Sequence, residues 1–332
     1  MNATQHSAPS RGLAGLLRHE TVLLVIVALE IVIFHSVGRN FGTADNVGNI
    51  IRHSTEIGLL ALVMLPVILT GGIDLSVGSL LGLSAVVFGK LCHDAGWSPP
   101  GAAAAVLAMG ALAGGLHAWL ITALRLPPLI VTLGTYSLYR GLAEAITRGT
   151  ATYSGFPESF LNFGNGSHLG LPNQAWILVV VAAGVWVLVH GTTFGRSFRA
   201  IGFSPEGARY AGLPVERRVA LAYVLAGTVA ALAAVIFTAR VTQARADAGV
   251  GYELLAITAV VLGGTSIFGG VGSVPGTLLG VIALAILTNG LSRIPAIISI
   301  SRELSGLLTG ALLIVALTAS LLPRQFARRR GG

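Results

Sequence analysis

The sequence predicts an all-α fold, a polytopic transmembrane helical bundle of about ten spans with an internal repeat. Two features of the composition indicate a membrane protein: 54% of the 332 residues are hydrophobic, and only 10% carry a charged side chain. A soluble domain has about 25% charged residues with which to cover its surface. The hydrophobic content also excludes a disordered chain, and the single cysteine, Cys92, excludes a disulfide framework.

Ten apolar segments, each of about 15 residues or more, are long enough to be spans. They are residues 20–38, 56–70, 75–92, 101–124, 128–147, 174–190, 218–238, 254–268, 274–292 and 305–322. Residues 254–292 include no Asp, Glu, Lys or Arg and as one helix would be about 58 Å long, so the chain must turn back at 269–273. The second and eighth segments are short and flanked by glycine, which is typical of broken or re-entrant helices. Close helix packing of the fourth span is predicted by Gly110, Gly114, Gly115 and Ala118.

Basic residues predict the orientation of the chain. With a cytoplasmic N-terminus, twelve of the 21 basic residues fall on the cytoplasmic side, seven fall outside and two lie within spans. This bias agrees with the positive-inside rule, and the spread of arginines over the ends of apolar segments argues against a nucleic-acid surface. The predicted parts are a cytoplasmic segment 1–19, a transmembrane domain 20–322 with a central cytoplasmic loop 191–217, and a basic cytoplasmic tail 323–332.

Two glycine-rich stretches repeat along the chain. Residues 71–83 and 269–281 are identical at six of thirteen positions, at a constant offset of 198. The shared order of a Gly-Gly turn followed by Leu-Leu-Gly predicts two related halves, arranged as parallel or inverted repeats. The second copy has Gly272 where the first has Asp74, so the function of that aspartate occurs once in each subunit.

The central loop contains the signals of a short helix. Ser204 is a predicted N-cap, Pro205 occupies the first turn, and Glu206 lies near the positive helix end, while Gly212 and Pro214 end the helix. The small residues within it would allow a close approach to another protein. The same residues also suit a capped surface helix that contacts nothing, and both interpretations stay open at this point.

Several polar residues fall in or beside predicted spans. Asp74 precedes a span and is interpreted as its N-cap, while a gate or substrate contact is the alternative. Arg140 and Glu144 stand at i and i+4 and predict an ion pair within one helix. Glu30 has no partner one turn away, and His117 is interpreted as a packed imidazole because no His or Cys stands at metal-ligand spacing near it.

Three stretches together resemble the permease subunits of bacterial ATP-binding-cassette importers for monosaccharides, of the ribose, rhamnose and autoinducer-2 type. The first is residues 69–79, the second is 261–270 with 276–280, and the third is the central loop. Residues 126–135 also fit. The similarity covers about residues 20–322.

The resemblance implies a subunit of the bacterial inner membrane that translocates a monosaccharide or a related small polyol by alternating access. It implies as partners a separate ATPase, a periplasmic sugar-binding protein, membrane lipid and a second permease subunit, identical or paralogous. In this family a helix of the central loop docks on the ATPase. That role is carried onto Arg199, Ser204, Pro205, Glu206, Ala208 and Gly212.

The glycine turns and the uncharged polar groups of the eighth and ninth spans supply the candidates for gating or translocation. They are Gly71, Gly72, Asp74, Ser76, Gly264, Thr265, Ser266 and Asn289. Their hydroxyl and amide groups could bind sugar hydroxyls, although Ser and Thr in membrane helices also bond to their own backbone.

The motifs of an enzyme are missing from the sequence. There is no G-x-x-x-x-G-K-[ST] motif and no Ser/His/Asp or metal constellation, so no ATPase site, cofactor or metal is predicted. The alternative function is a self-contained ion-coupled secondary transporter in which Asp74, Glu30 or Glu144 is the ion-sensitive acid. An intramembrane enzyme is a third and weaker alternative, since no catalytic pair can be named.

Overall fold

The structure is a computed structural model that describes residues 19–294 together with residues 310 and 311. Of the predicted N-terminal segment 1–19 it describes only the last residue. The predicted tenth span 305–322, apart from those two residues, and the predicted tail 323–332 lie outside the described part of the chain.

Twelve α-helices, a π-helical turn and a two-stranded hairpin form the regular structure of the described residues. The helices are α1 (His19–Val37), α2 (Ala44–Leu69), α3 (Val77–His93), α4 (Pro99–Thr122), α5 (Pro128–Thr147), α6 (Glu158–Asn165), α7 (Asn173–Trp186), α8 (Thr193–Phe203), α9 (Pro205–Tyr210), α10 (Val215–Val241), α11 (Tyr252–Leu262) and α12 (Val274–Leu291). The π-helical turn Val187–Gly191 extends α7. Strands β1 (Ser167–His168) and β2 (Leu171–Pro172) pair antiparallel between α6 and α7.

The predicted all-α membrane fold is confirmed at the level of its helices. Each of the nine predicted spans that lie within residues 19–294 coincides with a helix. Within the same residues, six helices are long and apolar enough to cross a bilayer, namely α1, α2, α4, α7 with its π-helical turn, α10 and α12. Helices α3 and α11 are apolar but shorter.

The predicted second span, 56–70, is wrong in its length. Helix α2 begins at Ala44, where the Thr43 hydroxyl accepts a hydrogen bond from the Asn46 backbone N–H at 3.3 Å. The hydropathy of the sequence did not predict the N-terminal half of α2, because its first turns are polar. Hydropathy measures how well a segment suits the lipid phase, and it does not measure whether the segment forms a helix. At 26 residues, or about 39 Å, α2 is a complete span and not a broken one.

The predicted eighth span, 254–268, is shorter than expected. Helix α11 ends at Leu262 after 11 residues, which is about 16 Å and too little for a hydrocarbon core of about 30 Å. Gly263 forms its C-cap, and an irregular turn over 263–273 leads into α12. The prediction of a short eighth segment is therefore confirmed, and only its end was misplaced.

The connections between helices gather at two ends of the bundle. The α9 end holds α8, α9 and the two glycine turns, since the Gly270 N–H donates to the Leu69 carbonyl at 3.0 Å. The hairpin end holds β1, β2 and the ends of α3 and α10, where Tyr153 pairs with Ala244. Helices α2 and α11 both end at the α9 end, and α3 and α12 both begin there.

The core of the bundle is built around α2 and α10. Residues 58–69 of α2 are all buried. Helices α4 and α10 pack backbone against backbone: a Cβ placed on Gly110 would lie 2.3 Å from the Gly227 carbonyl oxygen, and one on Gly114 would lie 2.2 Å from the Tyr223 carbonyl oxygen. Predicted close packing is thus confirmed at these two glycines, while a Cβ on Gly115 would meet nothing within 4 Å.

The predicted ion pair between Arg140 and Glu144 is wrong. Nη1 of Arg140 donates to the backbone carbonyls of Ala246 and, at 3.1 Å, Ala248, in the loop between α10 and α11. Glu144 is exposed one turn further along α5 and forms no ion pair with Arg140. An i,i+4 pair on a helix surface contributes only about 0.2–0.5 kcal/mol, whereas carbonyls buried in a loop need a donor, and the guanidinium supplies it.

We expect Gly110→Ala to destabilise the protein by about 1–3 kcal/mol, because the added methyl overpacks the contact with the Gly227 carbonyl. Gly115→Ala is the matched control on the same helix. It has open space and should be neutral or stabilise by up to about 1 kcal/mol. Thermal unfolding of the detergent-solubilised protein measures both variants, and equal unfolding temperatures would contradict the proposed packing of α4 on α10.

Candidate functional site

The short helix predicted in the central loop is confirmed as α9. The Ser204 hydroxyl accepts a hydrogen bond from the Gly207 N–H at 3.0 Å, and Pro205 and Glu206 occupy the first turn. The chain leaves the helix through Gly212, whose φ of 75° is left-handed. Helix α8, which immediately precedes it, was not predicted. It begins at the Thr192 cap, whose hydroxyl accepts from the Phe194 N–H at 3.1 Å.

The exposed face of the α8–α9 segment is aromatic. Ala208, which the sequence suggested for close approach to another protein, is buried against Ile201 and Val215. The side chains that extend outward are Tyr210, which is 92% exposed, and Phe203, which is 72% exposed. A six-residue helix must pack one side on its own bundle, and in α9 the small residue takes that side.

Helix α8 meets both glycine turns at one point, which we call the glycine junction and define as Gly202, Leu69, Gly71, Gly269 and Gly270. A Cβ on Gly202 would lie 2.0 Å from the Leu69 carbonyl oxygen and 2.4 Å from the Gly270 nitrogen. A Cβ on Gly269, whose φ is 87°, would lie 2.9 Å from the Gly202 Cα and 3.0 Å from the Gly71 nitrogen. Three pieces of backbone therefore touch where the two repeated stretches and the central loop come together.

Arg199 strengthens this connection. Its guanidinium donates to the Val189 carbonyl at 3.1 Å and to the Gly272 carbonyl at 3.4 Å. The first bond holds α8 to the end of α7, and the second holds it to the turn before α12. The structure thus places Arg199, which is half-buried, beside the glycine junction.

Asp74 forms a local turn rather than the predicted N-cap. Helix α3 begins at Val77 with Ser76 as its N-cap residue. The Asp74 Oδ1 accepts hydrogen bonds from the Ser76 N–H at 2.8 Å and from the Ser76 hydroxyl at 2.6 Å. The prediction was wrong in register, because an Asx turn and an N-cap have the same sequence signature. Asp74 satisfies the amide just before the helix and not one within it.

His117 belongs to a buried cluster around this turn. Its Nε2 lies 3.1 Å from the Tyr139 hydroxyl, and its Nδ1 lies 3.7 Å from the Asp74 Oδ2, a distance too long for a hydrogen bond. The ring of Tyr223 packs edge-on against the imidazole, and its hydroxyl lies so close to Gly72 that no Cβ would fit there. The prediction of a packed imidazole is confirmed. The cluster fixes the first glycine turn to α4, α5 and α10.

The candidates in the second turn lie in packed backbone. Gly264 has a φ of 89°, Thr265 and Ser266 are buried, and the Ser266 N–H donates to the Val271 carbonyl at 2.9 Å. The Thr265 Oγ1 has no hydrogen-bond partner among the described residues. These side chains are near the glycine junction at the α9 end.

Asn289 lies at the opposite end of the bundle. Its side-chain amide exchanges two hydrogen bonds with that of Asn46, at 2.9 and 3.2 Å, and so joins α12 to α2. Asn289 also lines a cavity of about 490 Å³ between α2, α11 and α12. The structure separates Asn289 from Thr265 and Ser266, with which the sequence grouped it.

Some residues of the site escaped the sequence-based interpretation. Asn46 and Tyr210 gave a usable signal, since one is an amide at the edge of an apolar segment and the other is an aromatic residue in a basic loop. Gly202 gave none, because its contacts are distant in sequence. Within the described residues, no three His, Cys, Asp or Glu side chains are grouped as metal ligands, and the Glu30 Oε2 has no hydrogen-bond partner.

Comparisons with known proteins identify the family. Residues 46–317 match the family model described as "Branched-chain amino acid transport system / permease component". The chain is 38% identical over 282 residues to the ribose import permease protein RbsC of Escherichia coli K12, covering 84% of this chain and 87% of that protein. It is 37% identical over 305 residues to the autoinducer 2 import system permease protein LsrD of the same strain, covering 89% and 90%. No solved structure matches the chain. The match over most of the chain shows that this protein is a member of that family of transport permeases.

Proposed function

We propose that the chain is the membrane-spanning permease subunit of an ATP-binding-cassette importer in the bacterial inner membrane. It translocates a monosaccharide or a related small polyol by alternating access, and a separate ATPase drives it. The observation that carries this proposal is the glycine junction. It connects the exposed aromatic face of α8 and α9 to both glycine turns of the bundle.

The substrate class follows from the relatives and not from the family description. That description mentions branched-chain amino acids, whereas the two similar permeases carry names for ribose and autoinducer 2 import. Two individual relatives that are 37–38% identical over more than four-fifths of the chain indicate the substrate class more specifically than a family model does, because one family model covers permeases for several substrates. A sugar or polyol is therefore the better assignment.

The aromatic face of α8 and α9 is the proposed ATPase contact. Phe203 and Tyr210 are exposed at the end that the arginine bias places in the cytoplasm, and exposed aromatic side chains of this size are typical of interface anchors. An ion pair between Arg209 and Glu216, at 3.0 Å, spans from α9 to the start of α10. Ala208 and Gly212 shape the helix, whereas Tyr210 and Phe203 contact the partner.

The glycine junction is the proposed route by which the ATPase moves the bundle. Gly202 is in van der Waals contact with the backbone of Leu69 and Gly270, so α8 cannot shift without moving both turns. The Asp74 and His117 cluster holds the first turn to α4, α5 and α10, which spreads the movement through one side of the bundle. Packed backbone of this kind has discrete arrangements and transmits a shift instead of absorbing it.

We infer that the complete permease has a tenth span over 305–322 and two related halves. The order of a helix, a glycine turn and a second helix occurs as α2 to α3 and again as α11 to α12, and the two turns touch at the glycine junction. A second permease subunit and a periplasmic sugar-binding protein complete the assembly. The binding protein supplies selectivity at the hairpin end.

Reconstitution tests the function against its alternative. Vesicles that hold this chain with its ATPase and binding protein should accumulate D-ribose when ATP is enclosed, and should stop when ATP is replaced by a non-hydrolysable analogue. Vesicles that hold the chain alone should show no uptake under a proton or sodium gradient, since the ATPase supplies the energy. Gradient-driven uptake by the lone chain would favour the ion-coupled transporter.

Tyr210→Ala should weaken binding of the ATPase by about thirtyfold, because truncation of an aromatic anchor costs about 2 kcal/mol. The fold should not change, since Tyr210 is 92% exposed. The matched control is Leu112→Ala, which removes a side chain that is 75% exposed in the middle of α4. Titration of the detergent-solubilised permease with ATPase subunit gives both affinities. An unchanged affinity for Tyr210→Ala would show that the ATPase binds elsewhere.

Gly202→Ala should reduce ATP-driven uptake by about tenfold or more while the ATPase still binds. The added methyl collides with the Leu69 carbonyl and forces α8 away from the two turns. Gly191→Ala is the control, because a Cβ there would meet only an ordinary contact at 3.7 Å. Uptake and ATPase binding are measured on the same preparation, and normal uptake by Gly202→Ala would exclude transmission through the glycine junction.

A further inference from the structure

The cavity between α2, α11 and α12 has the size of a small-molecule site. Its volume is about 490 Å³, and ligand pockets commonly span about 300–1,000 Å³. It lies at the hairpin end, because its lining includes His53 and Ile57, which flank Glu56, and Glu56 pairs with Arg240 near the end of α10 at 2.7 Å. The aromatic face that is proposed to contact the ATPase lies at the opposite end of α10.

Polar groups on two helices line this cavity. Asn49, His53 and Ser54 come from α2, and Thr288 and Asn289 come from α12. In a membrane protein, polar side chains at such a depth are found where they face water, protein or a ligand, and not lipid. The polar part of the lining is therefore unsuited to lipid chains, beside an apolar part that includes Ile57, Leu255 and Val281.

The hydroxyl groups of the lining are arranged to accept hydrogen bonds. Ser54 donates its proton to the Ile51 carbonyl at 3.2 Å, and Thr288 donates to the Leu284 carbonyl at 2.8 Å. A hydroxyl that donates to its own helix keeps its lone pairs for another donor. The Asn49 amide adds donors, since its only hydrogen bond within residues 19–294 is accepted by its oxygen, from Arg52. Acceptors and donors together complement the hydroxyls of a sugar.

The described residues around the cavity offer no anionic partner to the ammonium group of an amino acid. Among the described residues that line it, none is Asp or Glu and one, Arg293, is a cation. The neighbouring Glu56 is buried and bound to Arg240. The ammonium group of an amino acid would therefore be desolvated without a counter-charge. A neutral ligand carries no such penalty, and Leu284 and Ala285 provide an apolar wall for the carbon face of a sugar ring.

We propose that this cavity is the site at which the permease receives a neutral monosaccharide before translocation. Ser54, Thr288 and Asn289 bind its hydroxyls, and Ala285 lies against the ring. The site deepens the proposed function and rests on it. Hydrogen bonds between neutral groups bind weakly, which lets the sugar leave when the bundle changes its open side.

Cysteine protection tests the site, because Cys92 is the only cysteine of the chain. In a Cys92→Ser parent, Ala285→Cys adds a thiol to the cavity wall without removing a polar group. We expect N-ethylmaleimide to modify it, millimolar D-ribose to slow the reaction at least about threefold by occupancy, and L-leucine to have no effect. Modified protein in the complete vesicle system should lose ATP-driven ribose uptake.

Ser167→Cys in the same parent is the control, since Ser167 is exposed on β1 outside the cavity. Its modification should be insensitive to ribose and should leave uptake intact. Where the parent imports ribose, three results would overturn the site. The first is that N-ethylmaleimide does not react at position 285, and the second is that full modification there leaves uptake normal. The third is that L-leucine, and not D-ribose, slows the modification. A parent that imports neither ribose nor another monosaccharide or small polyol fails the proposed function, and the protection assay, which needs no ATP, still decides the site.

Discussion

The structure depends on one contact in which no side chain takes part. At Gly202 the backbone of α8 lies against the Leu69 carbonyl and the Gly270 amide, closer than any Cβ would permit. Because the contact is backbone to backbone, it has little freedom to adapt and behaves as a rigid coupling. We propose that the central loop, the start of α3 and the start of α12 therefore move together at the α9 end.

Several buried polar groups in this bundle join distant parts of the chain. Asn46 bonds Asn289, Glu56 bonds Arg240, and Arg140 holds the loop between α10 and α11. In a membrane an unpaired group of this kind costs several kcal/mol, so each pair specifies which helices lie side by side. Apolar packing alone specifies neighbours poorly, since lipid is as apolar as leucine.

The sequence located the spans and the α9 helix because both depend on local information. Hydropathy finds a segment that lipid must cover, and Ser204 with Pro205 defines a helix start within four residues. The polar first half of α2 was missed for the same reason, since nothing in its hydropathy requires a membrane. The partners of Arg140, Gly202 and Asn289 lie far away in sequence and only the folded chain brings them together.

The aromatic face at the α9 end has a consequence for the biogenesis of the protein. Phe203 and Tyr210 are each more than 70% exposed, and in the orientation that the arginine bias predicts, a newly inserted subunit presents them to the cytosol until another protein covers them. Chaperones and proteases recognise such surface. From the proposed docking of the ATPase on this face, we expect surplus copies to be degraded, so that the cell would need to synthesise the permease and its ATPase in matched amounts.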